Sequence, residues 1–352
     1  MAELNRVNRI ESSLSGDVVP AYRKRQVYEA VYQQYRRSYS DIINLPKELR
    51  ERLKDEFGDA ILSLKNVKEI KDEQADKILF ETGDGNHIES VLMTYRSNDD
   101  RDHDYQSLCV SSQSGCALGC AFCATGVMGF KKNLEVDEIT DQILYFLQEG
   151  KAVKNITFMG MGEPFANPNF FDALKVITDK DKMGYSQRHI IVSTVGVIPG
   201  IKRLQEEYPN VNLAFSLHSP FPEQRLELMP VSKTYPLMDV MKALKEFVEV
   251  TNKKVFLAYV LLDGVNDTFE HAQGIADLVK HQGEKKYLYH VNLIRYNPGS
   301  EFHPFNRPTT TRVETFQRAL DNLGVSCTLR QSFGLKIDAA CGQLRADHVR
   351  EN

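Results

Sequence analysis

The sequence predicts an α/β protein, an open partial (β/α)6 barrel with an N-terminal helical accessory domain and a β-hairpin extension. Three observations predict it. From about Ser107 onward, short apolar runs alternate with amphipathic ones, the pattern of parallel strands joined by outer helices. Just before that point, two apolar runs flank Gly83-Asp84-Gly85-Asn86, a hairpin turn signal. Earlier still, apolar residues recur at helical spacing.

In the first segment Tyr22, Val27, Val31 and Tyr35 recur roughly once per turn. Leu45, Leu49, Leu53 and Phe57 fall four apart and end at Gly58, a helix stop. Residues 1 to about 70 therefore read as helices. Runs 77–82 and 87–95 supply the hairpin, and the charged stretch 96–106 is a natural linker. Strand candidates follow at 108–111, 156–160, 190–194, 211–217, 255–262 and 290–295. Helix candidates lie between them at 136–149, 170–178, 201–208, 237–250 and 270–281, and a further helical run, 312–323, precedes 325–329. Six such units are too few to close an eight-stranded barrel, so the sheet should stay open. In barrels of this kind chemistry sits at the strand C-terminal ends. The expected division is residues 1–75 as the helical domain, 76–106 as hairpin and linker, 107–345 as barrel and 346–352 as tail. No internal repeat or low-complexity tract interrupts it.

The 352 residues are 42% hydrophobic and 26% charged, the balance of a soluble globular protein. No run of eighteen apolar residues exists to span a membrane. The N-terminus lacks an apolar core behind a basic start, which argues against a secretory signal. Six cysteines are too sparse for a disulfide framework, and three cluster at ligand spacing. That usage suits a reducing, cytoplasmic compartment. A net charge of −4 does not advertise nucleic-acid binding. Between Pro20 and Lys54, however, nine basic residues face four acidic ones. Such a patch is either a solvated face or a surface for a phosphate backbone.

Cys116, Cys120 and Cys123 form a C-x3-C-x2-C motif. Iron–sulfur clusters are normally held by four thiolates, so three leave one iron open for a small molecule. Zinc is the competing reading, but it wants four ligands and no partner pair stands elsewhere. Several predicted strands then end in polar or glycine-rich turns: Met159-Gly160-Met161-Gly162-Glu163, Ser193-Thr194-Val195-Gly196, Ser216-Leu217-His218-Ser219 and Tyr296-Asn297-Pro298. Each alone reads as a cap or turn. Together they mark one end of the barrel. The glycines near Glu163 would admit a ligand to the backbone, and the Glu163 carboxylate could accept from an ammonium group.

Of these, Met159-Gly160-Met161-Gly162-Glu163 and Ser216-Leu217-His218, with Ser112-Gln113-Ser114-Gly115-Cys116, Phe122-Cys123-Ala124-Thr125-Gly126 and Ile337-Asp338-Ala339-Ala340-Cys341-Gly342-Gln343-Leu344, resemble the radical SAM rRNA adenine methyltransferases, the RlmN/Cfr family. The resemblance runs from about Tyr22 to Leu344. It implies a radical SAM core in which Cys116, Cys120 and Cys123 ligate a [4Fe–4S] cluster. It also implies that Gly162, Glu163, Ser193, Ser216, Leu217, His218 and Asn297 contact S-adenosylmethionine (SAM). Two SAM molecules would serve each turnover: one methylates Cys341, and the other, cleaved at the cluster, yields a 5′-deoxyadenosyl radical that takes hydrogen from that methyl group. The carbon radical then adds to an adenine ring. By the same resemblance, Cys109 would free the product by a disulfide to Cys341, and Glu89 would accept a proton. By its residues alone, Glu89 is either an edge acid or a functional group on an otherwise apolar face, while Cys327 reads as apolar filler.

The family methylates adenosine 2503 of 23S rRNA. One branch acts at C2 (and on tRNA in some members), the other at C8 with resistance to antibiotics bound beside that base. The runs 131–142, 290–298 and 331–334 look closer to the C8 branch. The implied partners are 23S rRNA before full ribosome assembly and an electron donor such as flavodoxin, with the enzyme a monomer. Two other classes compete, a radical SAM enzyme acting on a small molecule and a zinc-bound RNA-binding module without catalysis. The first leaves the basic helices and Cys341 unexplained, and the second predicts a colourless protein.

Overall fold

The computed structural model describes residues 5–14, 20, 22–96, 104–298, 305–334, 337, 343 and 344. Three helices open the chain: α1 (Arg6–Ser13), α2 (Tyr22–Tyr32) and α3 (Lys47–Phe57). Asn5 caps α1 by accepting from the Asn8 backbone N–H at 2.9 Å. Gly58, at φ +79°, ends α3 as expected. The next element departs from expectation. Residues Lys65–Lys71 form a strand, β1, and not the end of a helical segment. β1 pairs antiparallel with β2 (Ala75–Glu81), which pairs with β3 (His87–Tyr95) around the expected turn.

The hairpin is continuous with the barrel. β3 pairs antiparallel with β4 (Tyr105–Cys109), and β4 pairs parallel with β7 (Val153–Phe158). Between β4 and β7 lie the short hairpin β5 (Gln113–Gly115) and β6 (Phe130–Asn133), the turn α4 (Ala124–Val127) and α5 (Val136–Gln148). The parallel run continues through β8 (Ile190–Thr194), β9 (Asn212–Ser216), β10 (Val255–Leu261), β11 (Tyr289–Arg295) and β12 (Cys327–Leu329). The ten strands lie in the order β1-β2-β3-β4-β7-β8-β9-β10-β11-β12, with β1 and β12 as edges. The barrel is partial and open.

Helices α6 (Phe170–Thr178), α7 (Ile198–Glu207), α8 (Pro222–Leu228), α9 (Leu237–Thr251), α10 (Phe269–Lys280) and α11 (Thr310–Asn322) lie between the strands in sequence. On α9 the buried residues Leu237, Val240, Met241, Leu244, Phe247 and Val248 recur at three- and four-residue steps, one apolar stripe against the sheet. Burying each such side chain contributes about 1.5–3 kcal/mol. Because α9 continues through Thr251, it turns off at Asn252 in the left-handed region, φ +53°, a conformation asparagine tolerates.

The N-terminal helices are clasped to the barrel through α5. Arg6 is 2% exposed, and its guanidinium meets both oxygens of the fully buried Asp141 at 2.8 Å. Its Nη2 also donates to the Ile61 carbonyl, and its backbone N–H donates to Asp137 at 2.7 Å. Ser63 adds backbone and hydroxyl donors to Asp141 at 2.6 and 2.8 Å. The buried charges are thus paired and hydrogen-bonded, the condition for keeping them inside.

Candidate active site

The strand C-terminal ends converge on a cavity of about 170 Å³. Its wall holds Cys116, Cys120, Cys123, Gly162, Glu163, Ser193, Ser216 and His218. Two residues of the expected SAM set lie elsewhere. Leu217 is fully buried in the core, and what it offers the site is backbone: its N–H donates to Ala258 O at 3.0 Å. Asn297 lines an adjoining hollow with Cys109, Val91, Phe333 and Leu344. The two spaces share Met159, Ile294 and Arg330.

The cysteine loop is shaped by close backbone contacts. The Cys116 N–H donates to Gly129 O, and the Cys123 N–H to Cys120 O, both at 3.1 Å. Gly115 sits at φ +72°, and a Cβ there would lie 1.9 Å from the Gly129 carbonyl oxygen; only glycine fits. Burial pushes the Cys116 thiol up to about 11. Burial also raises Cys120, helped by the neighbouring Cys123 and Cys116. A metal centre must therefore displace protons from these thiols as it binds.

Among the described residues no three His, Cys, Asp or Glu side chains are grouped to hold a single metal ion. The donor chemistry fits a cluster: three sulfurs, partly buried, on one wall of one cavity. A cubane takes its thiolates at separate corners, farther apart than one ion would draw them.

Glu163 is 3% exposed and is held by the Val195 and Phe165 backbone N–H groups at 2.9 and 3.2 Å. Burial raises it to about 7, against the lowering effect of those donors and of Thr194. A cationic group in the cavity would draw it into the ionised form. Gly162 lines the cavity and also serves the packing of the chain. At φ +93° its Cβ would lie 2.5 Å from the Gln113 Cβ, so glycine is needed there for close packing of the chain itself.

His218 is fixed in the left-handed region, φ +54°. Its Nδ1 accepts from the Val260 N–H at 3.0 Å, and its ring meets Phe122 edge-on at 4.7 Å. Burial, then the nearby Arg225, pulls it down to about 3. The imidazole is neutral, and with Nδ1 accepting, its proton sits on Nε2. Asn297 is 3% exposed, and its Oδ1 has no hydrogen-bond partner among the described residues. A buried orphan oxygen is costly, and a bound ligand donor would satisfy it. SAM offers such donors, and the hollow that Asn297 lines adjoins the three-thiol cavity through Met159, Ile294 and Arg330.

Strand register brings Glu89 and Cys109 to neighbouring positions. Val91 pairs with Cys109 across β3 and β4, and Glu89 lies two residues before Val91 on the same face. Glu89 is 2% exposed and forms an ion pair with the buried Lys77 at 3.2 Å. It is a buried acid with an opposite charge, not an edge residue. Cys341 lies outside the described residues, as does its expected disulfide with Cys109. Its neighbours in sequence are anchored at the hollow: Gln343 donates to Pro298 O at 2.8 Å, and Leu344 O accepts from Thr125, two residues past Cys123, at 2.8 Å.

Residues 110–279 match the Radical SAM superfamily model. The chain is 46% identical over 336 residues, 96% of both chains, to a ribosomal RNA large subunit methyltransferase Cfr of Clostridium botulinum. It belongs to the Cfr family. The Cfr of Bacillus velezensis is 44% identical over 351 residues, 99% of both chains, and that of Staphylococcus aureus 45% over 341 residues, 97% of this chain and 96% of its relative. A radical SAM methyltransferase from Sphaerobacter thermophilus shares this fold with a TM-score of 0.88 at 38% identity, the match covering 97% of this chain and 98% of that one. Membership of the radical SAM superfamily implies SAM and a [4Fe–4S] cluster.

Sequence reasoning missed Arg225 and Lys77 at this site. Arg225 stands in a run that reads as solvated charge, and Lys77 opens an apolar strand run where a lysine reads as a solvated end. Among the described residues no helix is long and apolar enough to cross a membrane.

Proposed function

We propose that the protein methylates C8 of adenosine 2503 in 23S rRNA in the cytoplasm, as a monomer fed electrons by a flavodoxin-like donor, and so confers resistance to drugs bound beside that base. The observation that carries this is near-full-length identity to Cfr chains, joined to a Cys109-lined hollow that opens beside the three-thiol cavity. When bound, the cluster and SAM supply a methyl group and, by reductive cleavage, a 5′-deoxyadenosyl radical. Cys341 carries the carbon as S-methylcysteine. Once the carbon radical has added to the ring, rearomatisation requires loss of one electron, which the oxidised iron–sulfur centre would take back, and of one proton, which Glu89 takes beside the Lys77 ammonium. The Cys109 thiolate then attacks the Cys341 sulfur, the C–S bond to the base breaks as the disulfide forms, the freed carbon takes up a proton to become the methyl group, and an outside reductant must reopen the disulfide. Two SAM molecules are consumed per cycle.

Mass spectrometry of 23S rRNA from a host lacking its own C2 enzyme tests the regiochemistry. The expected product is 8-methyladenosine. Finding only 2-methyladenosine would assign the chain to the alternative C2 activity.

The basic helices are proposed to grip RNA phosphates, but their cations are not equivalent. Arg23 donates to Asn44 O and Arg50 to Ser40 O, while Arg37 pairs with Glu149. Charge reversal at Arg23 or Arg50 would disturb the fold as well as any RNA contact. Arg25, Arg52 and Lys54 are exposed and make the cleaner test. Reversing these three should weaken RNA binding and flatten the log–log salt dependence by about two units. An unchanged slope would remove RNA from this patch.

A further inference from the structure

Arg225, on α8, is fully buried yet has no carboxylate paired with it among the described residues. Its acceptors are all neutral: Leu217 O at 3.1 Å, Ser232 Oγ at 2.7 Å, Val195 O at 2.8 Å and Ser216 O at 3.0 Å. Its guanidinium also lies 5.0 Å from the centre of the Phe215 ring. A buried charge normally needs an opposite one. Carbonyl dipoles and a ring face supply only part of that.

What lies around α8 identifies the missing charge. The Ala121 N–H, inside the cysteine loop, donates to Leu228 O at the end of α8, at 2.9 Å. Phe122 packs with Leu228 and Met229, and Cys120 and Cys123 lie against the same apolar cluster. The carbonyl acceptors Val195 and Ser216 are themselves at the cavity wall, beside Ser193 and His218. Arg225 thus stands behind both halves of the site. Burial pulls it down to about 10, with Cys120 acting in the opposite direction.

We propose that Arg225 is a positioning residue whose guanidinium is the fixed counter-charge of the thiolate-bound cluster and the clamp that sets the SAM-facing ends of β8 and β9. This rests on Cys116, Cys120 and Cys123 being the cluster ligands. Three thiolates on a doubly positive cubane leave net negative charge, and one-electron reduction adds more. A nearby buried cation therefore favours the reduced cluster, the form that delivers an electron to SAM. The planar fork matters separately, because it reaches several acceptors at once, which a lysine ammonium on a flexible stem does not reproduce.

The test uses the full-length protein, reconstituted without oxygen and titrated with dithionite while the reduced cluster is followed by electron paramagnetic resonance. In Arg225→Gln the ratio of reduced to oxidised cluster at a fixed potential should fall about tenfold, a shift of 59 mV to lower potential for a one-electron couple. Arg225→Lys should titrate at the wild-type potential but bind SAM about tenfold more weakly, as measured by equilibrium dialysis. An Arg225→Gln protein with an unshifted midpoint overturns the counter-charge. If that variant retains no iron, Arg225→Lys decides: a loaded cluster at the wild-type potential upholds the proposal, and a lost or shifted one overturns it. Wild-type protein that takes up no cluster would instead sink the ligand assignment.

Discussion

Cys341→Ala protein should take up iron and bind SAM, yet leave 23S rRNA unmethylated, with transfer of labelled methyl falling about 10³-fold or more. The physical reason is electronic. An adenine ring carbon bearing hydrogen is too poor a nucleophile to take an electrophilic methyl group directly, and the proposed route has the Cys341 sulfur hold the carbon first. Cys109→Ala should fail one step later, with the carbon unit joined to the base and RNA still attached to Cys341. A denaturing gel would show that adduct. Undiminished methyl transfer by the Cys341 variant would refute the covalent route, and with it the assigned duties of Cys109 and Glu89.

Arg6→Ala should destabilise the protein by about 3–5 kcal/mol, since it strands the fully buried Asp141 carboxylate without its cation. The Ser63 donors soften the loss but bring no charge. Denaturant unfolding monitored by circular dichroism would measure it. A change below about 1 kcal/mol would mean that water reaches Asp141 and that the clasp is not the tie between α1 and α5.

Where hydrophobic pattern governs, the sequence is legible. β8 and α6 fall on the expected residues, one as a β-branched run and the other as an amphipathic one. β1 was hidden because Lys65–Lys71 is exposed along almost its whole length, so burial left no alternation to find. Extending the barrel sheet into the hairpin depends on β3 meeting β4 across the charged stretch between them, a pairing that no turn signal announces. At the site, three cysteines and several strand-end residues stood out by type and spacing. Leu217 is expected at the cofactor only through the family resemblance, and its side chain is buried in the core. Arg225 escaped notice because Pro222-Glu223-Gln224-Arg225 resembles any charged surface turn, and only the fold shows that it is enclosed.

The two borders of the ten-stranded sheet differ in how they discourage unwanted partners. Along β1, Lys65, Lys68, Glu69 and Lys71 are exposed, and a newcomer strand would have to strip water from this charged border. β12 is only three residues long, too short a template for stable zippering. A barrel left ajar for catalysis thereby avoids inviting fibrillar growth along its rims.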